Sequence, residues 1–395
     1  MRSRTRLGVA GALALFAVSV AVPASAVSVG ATRTRWVDDD GKAGPTNCGG
    51  SRSATKRIQT AVDRSDRNDV VIVCPGTYHE QFGVQGSKLN GVTVRAYSKW
   101  TAVVRMPDDI TDGPAIWVED VSNVLIQGLA IEFPDSGCDP HVGDLQGLWA
   151  SNADGVRIYG NRFRTTGSDT QGDCGYDDGI RVLSSTSFRV ANNTVRDFQS
   201  DGISIESGSR GKVDGNTVQF YHSGSSSSDD GDQGIRVVGG ARAEVTGNLV
   251  RSLSGAGHPH LELGIVVQNA AGGSDVHHND IHYVKQGMGS IDSKVEFRYN
   301  DLIGTSEGGA SGIFADDGDQ VTGSQILSNK VRSFDAGIWV DASGITLRHN
   351  DARGSITNSC VDTSTGSGTS GTANLWSSSN IGSPVSDPTG ICQLP

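Results

Sequence analysis

Large side chains are scarce in this chain. Aromatic residues make up 6% of its 395 residues and methionine occurs three times. That scarcity argues against a broad interior and suits a narrow one, built from short strands joined at tight corners that 53 glycines can supply. Basic residues are also few, 33 against 44 acidic, for a net charge of −11. An acidic chain is a poor partner for nucleic acid or an anionic membrane surface. The six cysteines include no Cys-x-x-Cys clip and no Cys-His cluster of zinc-binding spacing. Helical periodicity is mostly missing as well. The apolar residues alternate at period two, which points to strands.

What is present begins with a leader. Arg2, Arg4 and Arg6 precede an apolar run from Leu7 to Val22, and Ala24-Ser25-Ala26 follows. This predicts a secretory signal peptide over 1–26, an extracellular location and no membrane span. Removing it would leave 30 basic and 44 acidic residues, net −14. An even cysteine count in an oxidising compartment predicts disulfides. Proximity along the chain suggests Cys48 with Cys74, Cys138 with Cys174 and Cys360 with Cys392.

Between residues 147 and 350 one phrase recurs eight times: Gly-apolar-x-apolar, a loop, then apolar-x-x-Asn-x-apolar. It starts at Gly147, Gly179, Gly202, Gly234, Gly264, Gly287, Gly312 and Gly337, in steps of 23 to 32 residues. Self-similarity on that scale marks a solenoid, and period-two alternation makes it one of strands. The expected fold is therefore all-β, a single-domain parallel β-helix over 55–353. A short amphipathic helix through Ile58, Ala61 and Val62, N-capped by Ser53, would cap its N-terminal end. Residues 27–54 read as an N-terminal arm. The Ser/Gly-rich stretch 354–395 reads as a C-terminal cap lying over the last rung.

Apolar residues one and three after each Gly should point inward, for example Ile180 and Val182, or Ile203 and Ile205. The repeated asparagines, from Asn161 to Asn350, read as a structural ladder at a turn, since Asn tolerates the left-handed conformation and bonds turn backbone.

Chemistry is sought where the repeat is irregular. The longer steps end at Gly179, Gly234 and Gly264, and each adds its extra residues just before the Gly. The insertions 167–178, 219–233 and 252–263, with the related loop 133–146, should stack at one corner and wall a groove. Acids end these loops: Asp177 and Asp178 before Gly179, Asp201 before Gly202, Asp232 before Gly234, Glu262 before Gly264. With rungs ~4.8 Å apart, the carboxylates of Asp178 and Asp201 fall within roughly 5–9 Å. That range covers the separations used to cleave glycosidic bonds. Two residues after each Gly, the outward position reads Trp149, Arg181, Ser204, Arg236 and Val266, with Trp117 before and Phe314 and Trp339 after. Flat rings with arginines between them suit a sugar chain. Asp177, Asp178 and Asp201 are thus candidate catalytic residues, and Trp117, Trp149, Arg181, Arg236 and Glu262 candidate substrate contacts. Asp229, Asp230 and Asp232 could hold calcium but lack a full ligand series. Otherwise no cofactor is expected. His258 and His260 read as exposed loop residues.

The "PGTY" stretch from Pro75, the Gly…Asn rungs and the helical segment together resemble the pectin-lyase-like, right-handed parallel β-helix superfamily. That resemblance implies a right-handed solenoid and spans lyases, hydrolases, esterases, epimerases and binding proteins. "YDDGI" from Tyr176 and "SDGI" from Ser200 are similar to polygalacturonase aspartate motifs, in reversed order. "DPH" at Asp139–His141 resembles mannuronan epimerases, which adds Asp139 and His141 as substrate-contact candidates. The expected function is a secreted, monomeric polysaccharide-acting enzyme, a hydrolase or a calcium-dependent lyase in which Arg181 or Arg236 is the base. A non-catalytic glycan- or surface-binding solenoid and a polyuronate epimerase are the alternatives.

Overall fold

A computed structural model describes residues 32–110, 112–133, 145–165, 177–220, 232–252, 261–270, 272–305, 310–316, 322–383 and 385–394. The chain coils through three long parallel sheets in strict rotation. Sheet I has 13 strands, from Thr34–Val37 to Leu375–Trp376. Sheets II and III have 12 each, from Gly76–His79 to Ile381–Ser383 and from Phe82–Gln85 to Ser386–Asp387. Each strand pairs with the one a full turn earlier, which is a parallel β-helix. The one antiparallel pair among the described residues joins Lys42–Ala43 to Arg52–Ser53.

The repeat phrase maps onto this coil. Residues one and three after each Gly lie on sheet III and are sealed inside, among them Ile180, Val182, Ile203 and Ile205, all 0% exposed. Val190, Val213, Val245 and Val276 fill the interior from sheet I; on the rung before them the aligned residue is Ile158, and Val156 is buried just ahead of the strand. The Gly itself is required by crowding. A Cβ on Gly179 would lie 2.3 Å from Val195 Cγ1 and 2.5 Å from the Gly202 carbonyl oxygen.

The asparagines form the ladder at the corner between sheets I and II. Asn193 Nδ2 donates to Asn216 Oδ1 at 3.0 Å, Asn216 to Asn248 at 3.0 Å, and so on to Asn350 and Asn380. The second amide hydrogen goes to a carbonyl of the preceding rung, as from Asn216 to Val190 O at 2.9 Å. The left-handed residue of the turn is not the asparagine but the one before it: Gly215 (φ 64°), Asn192 (54°) and even Tyr299 (56°). Turning the chain there frees the Asn side chain to point inward along the stack.

Several expectations change at the ends. Ile58–Asp63 is a helix with Ile58, Ala61 and Val62 buried, but its N-cap is Arg57, without a side-chain cap bond. Ser53 is held in the antiparallel pair instead. The carboxylate of Glu80 accepts the Ile58 and Gln59 amide hydrogens at 2.7 and 3.2 Å, replacing the cap. Sheet I already starts at Thr34, inside the expected arm. Past 354 the strands Asn358–Asp362, Leu375–Trp376, Ile381–Ser383 and Ser386–Asp387 extend all three sheets rather than lying over the last rung. The disulfides Cys48–Cys74 and Cys360–Cys392 form as paired above. Cys138 and Cys174 lie outside the described residues.

Candidate active site

The outer face of sheet III is one straight column. The register stacks Gly83, Trp117, Trp149, Arg181, Ser204 and Arg236 on successive rungs, and continues through Val266 and Gly289 to Phe314 and Trp339. The insertions do share one corner. They follow the sheet II residues Phe133, Thr165, Phe220 and Ser252, which pair as neighbours, and precede the next sheet III strand. The loops themselves fall largely outside the described residues. So do Asp139, His141, Tyr176, Asp229, Asp230, His258 and His260.

The acids divide into two columns, not one. Directly before the repeat Gly stand Gln146, Asp178, Asp201 and Gln233, with Gln146 paired to Asp178 and Asp201 to Gln233. One residue further back stand Asp177, Ser200, Asp232 and Glu262, linked by backbone bonds such as Ser200 N–H to Asp177 O at 3.0 Å. Asp232 and Glu262 were expected in line with Asp178 and Asp201. They are out of register because they sit two residues, not one, before their glycines, and one residue along a strand changes the side it faces.

Asp178 and Asp201 are 7% and 2% exposed. The Asp201 amide donates to Asp178 Oδ1 at 3.2 Å. Burial, then the charge of Asp201, pushes Asp178 up to about 7, while Arg181 opposes the rise. Burial also lifts Asp201 to about 6, restrained by the charge of Arg236 and by hydrogen bonds from Ser204 and Arg236. Asp232 rises to about 7 through burial and the charges of Asp201 and Glu262. Stacked, desolvated carboxylates cannot all ionise, so their proton affinities spread apart.

The arginines are engaged with protein acids. Arg181 grips Glu206 with two bonds, Nε to Oε1 at 3.0 Å and Nη2 to Oε2 at 3.1 Å, and lies 3.8 Å from Asp178. Arg236 Nη1 reaches Asp201 Oδ2 at 3.4 Å. Glu262 pairs with Lys285 at 2.9 Å. Glu206, which also accepts from Ser204 Oγ at 2.8 Å, was missed at the sequence level. Its outward position, four residues after Gly202, was the available signal. Gln146 and Gln233 were missed too. Their Oε1 atoms, like Trp149 Nε1, are buried without a hydrogen-bond partner among the described residues.

Beside the acids is an aromatic cleft of about 220 Å³ lined by Gln85, Pro114, Trp117, Glu119, Trp149 and Ser151, with Val118 behind. A Cβ on Gly83 would come within 1.9 Å of Trp117 Nε1, so the indole lies flat across that glycine. Phe314 lies across Gly289 in the same way. Among the described residues, the one trio of metal-type donors within 4.8 Å is Asp38, Cys48 and Cys74, and both sulfurs belong to a disulfide.

Comparison with known proteins agrees with the coil. The family described as the right handed beta helix region matches residues 84–250 and again 178–355. The chain belongs to this right-handed β-helix family. No curated protein sequence matches it. Among solved structures, this right-handed β-helix is similar to the A-module of the mannuronan C-5 epimerase AlgE4 of Azotobacter vinelandii (14% identity, 82% of this chain, 88% of that one, TM-score 0.52). It is also similar to the Dettilon tailspike protein gp208 (14%, 82% and 62%, TM-score 0.58). A third likeness is to a DFA-IIIase of Arthrobacter chlorophenolicus A6 (13%, 80% and 83%, TM-score 0.51). At such identities the likeness concerns the fold.

Proposed function

We propose that this chain is an exported enzyme that cleaves glycosidic bonds of a polysaccharide lying along the outer face of sheet III. The observation that carries this reading is the buried pair Asp178 and Asp201 on adjacent rungs, with raised and unequal proton affinities, beside the Trp117–Trp149 cleft. Between about pH 6 and 7 a share of the molecules holds Asp178 protonated and Asp201 ionised. Asp178 then donates its proton to the glycosidic oxygen as the bond to the anomeric carbon breaks. Asp201 takes a proton from the attacking water, or itself attacks that carbon. Arg181 holds Glu206, and Ser204 and Arg236 hold Asp201, which fixes the rotamers of the pair. Trp117 and Trp149 stack neighbouring sugar rings.

The lyase form is less well supported. Its base would be Arg181 or Arg236, and each guanidinium faces a protein carboxylate. The likeness to the A-module of a mannuronan epimerase supports action on a carbohydrate.

The test is a screen of the mature chain on neutral and uronic-acid polysaccharides, reading new reducing ends and the unsaturated product of elimination. The expected result is new reducing ends from one substrate, lost in Asp178→Asn and in Asp201→Asn with glycan affinity retained. A folded protein that turns over no glycan overturns the enzyme in favour of a binding solenoid.

A further inference from the structure

The acidic balance of the chain is not spread evenly. On the outer face of sheet II, one register position is occupied on successive rungs mainly by arginine. Arg105 pairs across Glu132 with Arg164, and continuing the register from Phe163–Val195 places Arg196 next. Gln219 separates Arg196 from Arg251; His282 and Ile303 lead on to Arg332, and Arg353 follows in the register set by Lys330–Asp351. The column runs ten rungs, roughly 40 Å at ~4.8 Å per rung. It holds six arginines and one acid, in a chain whose net charge is −11.

That acid is shared. Glu132 accepts from Arg105 at 2.8 Å and from Arg164 at 2.5 Å, so the trio keeps a positive charge. Arg332 and Arg353 pair with Asp301 and Asp351 at 2.5 and 2.6 Å, acids two residues back in the register and on the same face. Arg196, Arg332 and Arg353 are exposed. At its C-terminal end the column opens into a hollow of about 470 Å³ lined by Lys330, Arg332, Asp351, Arg353 and Gly354, three cations to one acid.

We infer that this face of sheet II is a second binding surface, for an acidic polysaccharide laid parallel to the solenoid axis. Guanidinium forks take carboxylates two bonds at a time. A uronic-acid chain carries one carboxylate per sugar ring, close to one rung, so the carboxylates that its twist turns toward the protein fall in step with the column of arginines. In a B-form duplex each strand places a phosphate about every 3.4 Å along the axis, out of step with rungs of ~4.8 Å. The surface is separate from the groove on sheet III, and the inference does not rest on the reading of Asp178 and Asp201. If both hold, sheet II anchors the polymer whose other stretches are processed on sheet III.

The experiment measures affinity of the mature chain for polygalacturonate, for a neutral glucan and for duplex DNA of equal charge, at low and high salt. Polygalacturonate should bind best and weaken about tenfold or more in high salt. The variant Arg196→Gln/Arg332→Gln/Arg353→Gln should lose about tenfold in that affinity while keeping whatever small-oligosaccharide turnover the parent shows. Ile303→Arg, which fills the gap between His282 and Arg332, should bind tighter, a gain that misfolding cannot mimic. Unchanged affinity in the folded triple variant, no gain from Ile303→Arg, or equal binding of DNA overturns the proposal.

Discussion

The same rungs carry two polar stacks with opposite outcomes. At the corner between sheets I and II, asparagines from Asn161 to Asn380 pass hydrogen bonds upward, each buried amide both donating and accepting. Where sheet III begins, Asp178 and Asp201 also stack, but two carboxylates have no hydrogen to exchange when ionised. The first stack is satisfied by its own repetition. In the second, proximity and burial are unfavourable, and the structure answers by holding protons and bringing in Arg181, Arg236 and Ser204. A neutral ladder satisfies itself, whereas an acidic one is held together by a retained proton and neighbouring cations.

Breaking the charged stack should have the largest effect. Asp201→Asn should lower turnover by about 10²–10⁴-fold, measured as new reducing ends, with the fold unchanged by circular dichroism. Breaking the neutral stack should cost stability instead. Asn216→Ala removes the acceptor of the Asn193 amide and side-chain N–H groups and the donor to Val190 O, for about 3 kcal/mol in chemical denaturation.

A pH-dependent effect sharpens the contrast. Because the folded protein holds the Asp178 proton up to about 7 and the unfolded chain releases it near 3.8, folding stability should fall as pH rises between those values. Asp178→Asn should therefore be stabilising above pH 7, by up to about 4 kcal/mol, and nearly neutral near pH 4. The activity profile should be a narrow bell, rising as Asp201 ionises near 6 and falling as Asp178 loses its proton near 7. The smallest effect is expected at Gly83→Ala, which lifts Trp117 off its glycine and should raise KM a few-fold with little change in kcat.

How much of this was legible beforehand depended on whether a feature was local. Gly179 and Ile180, or Asn193, repeat at spacings set by one turn of the coil, so the sheet they join follows from counting. The outward column of Trp117, Trp149 and Arg181 followed in the same way. Glu206 did not, because its grip on Arg181 crosses rungs and depends on side-chain reach. Asp232 was misplaced by one residue, which on a strand reverses the side it faces. Asn380 was missed since its rung opens on Ser359 where earlier rungs have Gly. Gly382 leaves the room that this serine needs.

The two described disulfides also bear on durability. A solenoid rung touches only the rungs above and below, so the end rungs are the ones free to peel away. Cys48–Cys74 ties the first turn of the coil and Cys360–Cys392 the last. With both ends clamped, unravelling has no easy starting point. The lifetime against proteases is then set by how rarely the interior rungs part, and reduction should shorten it far more than it alters activity.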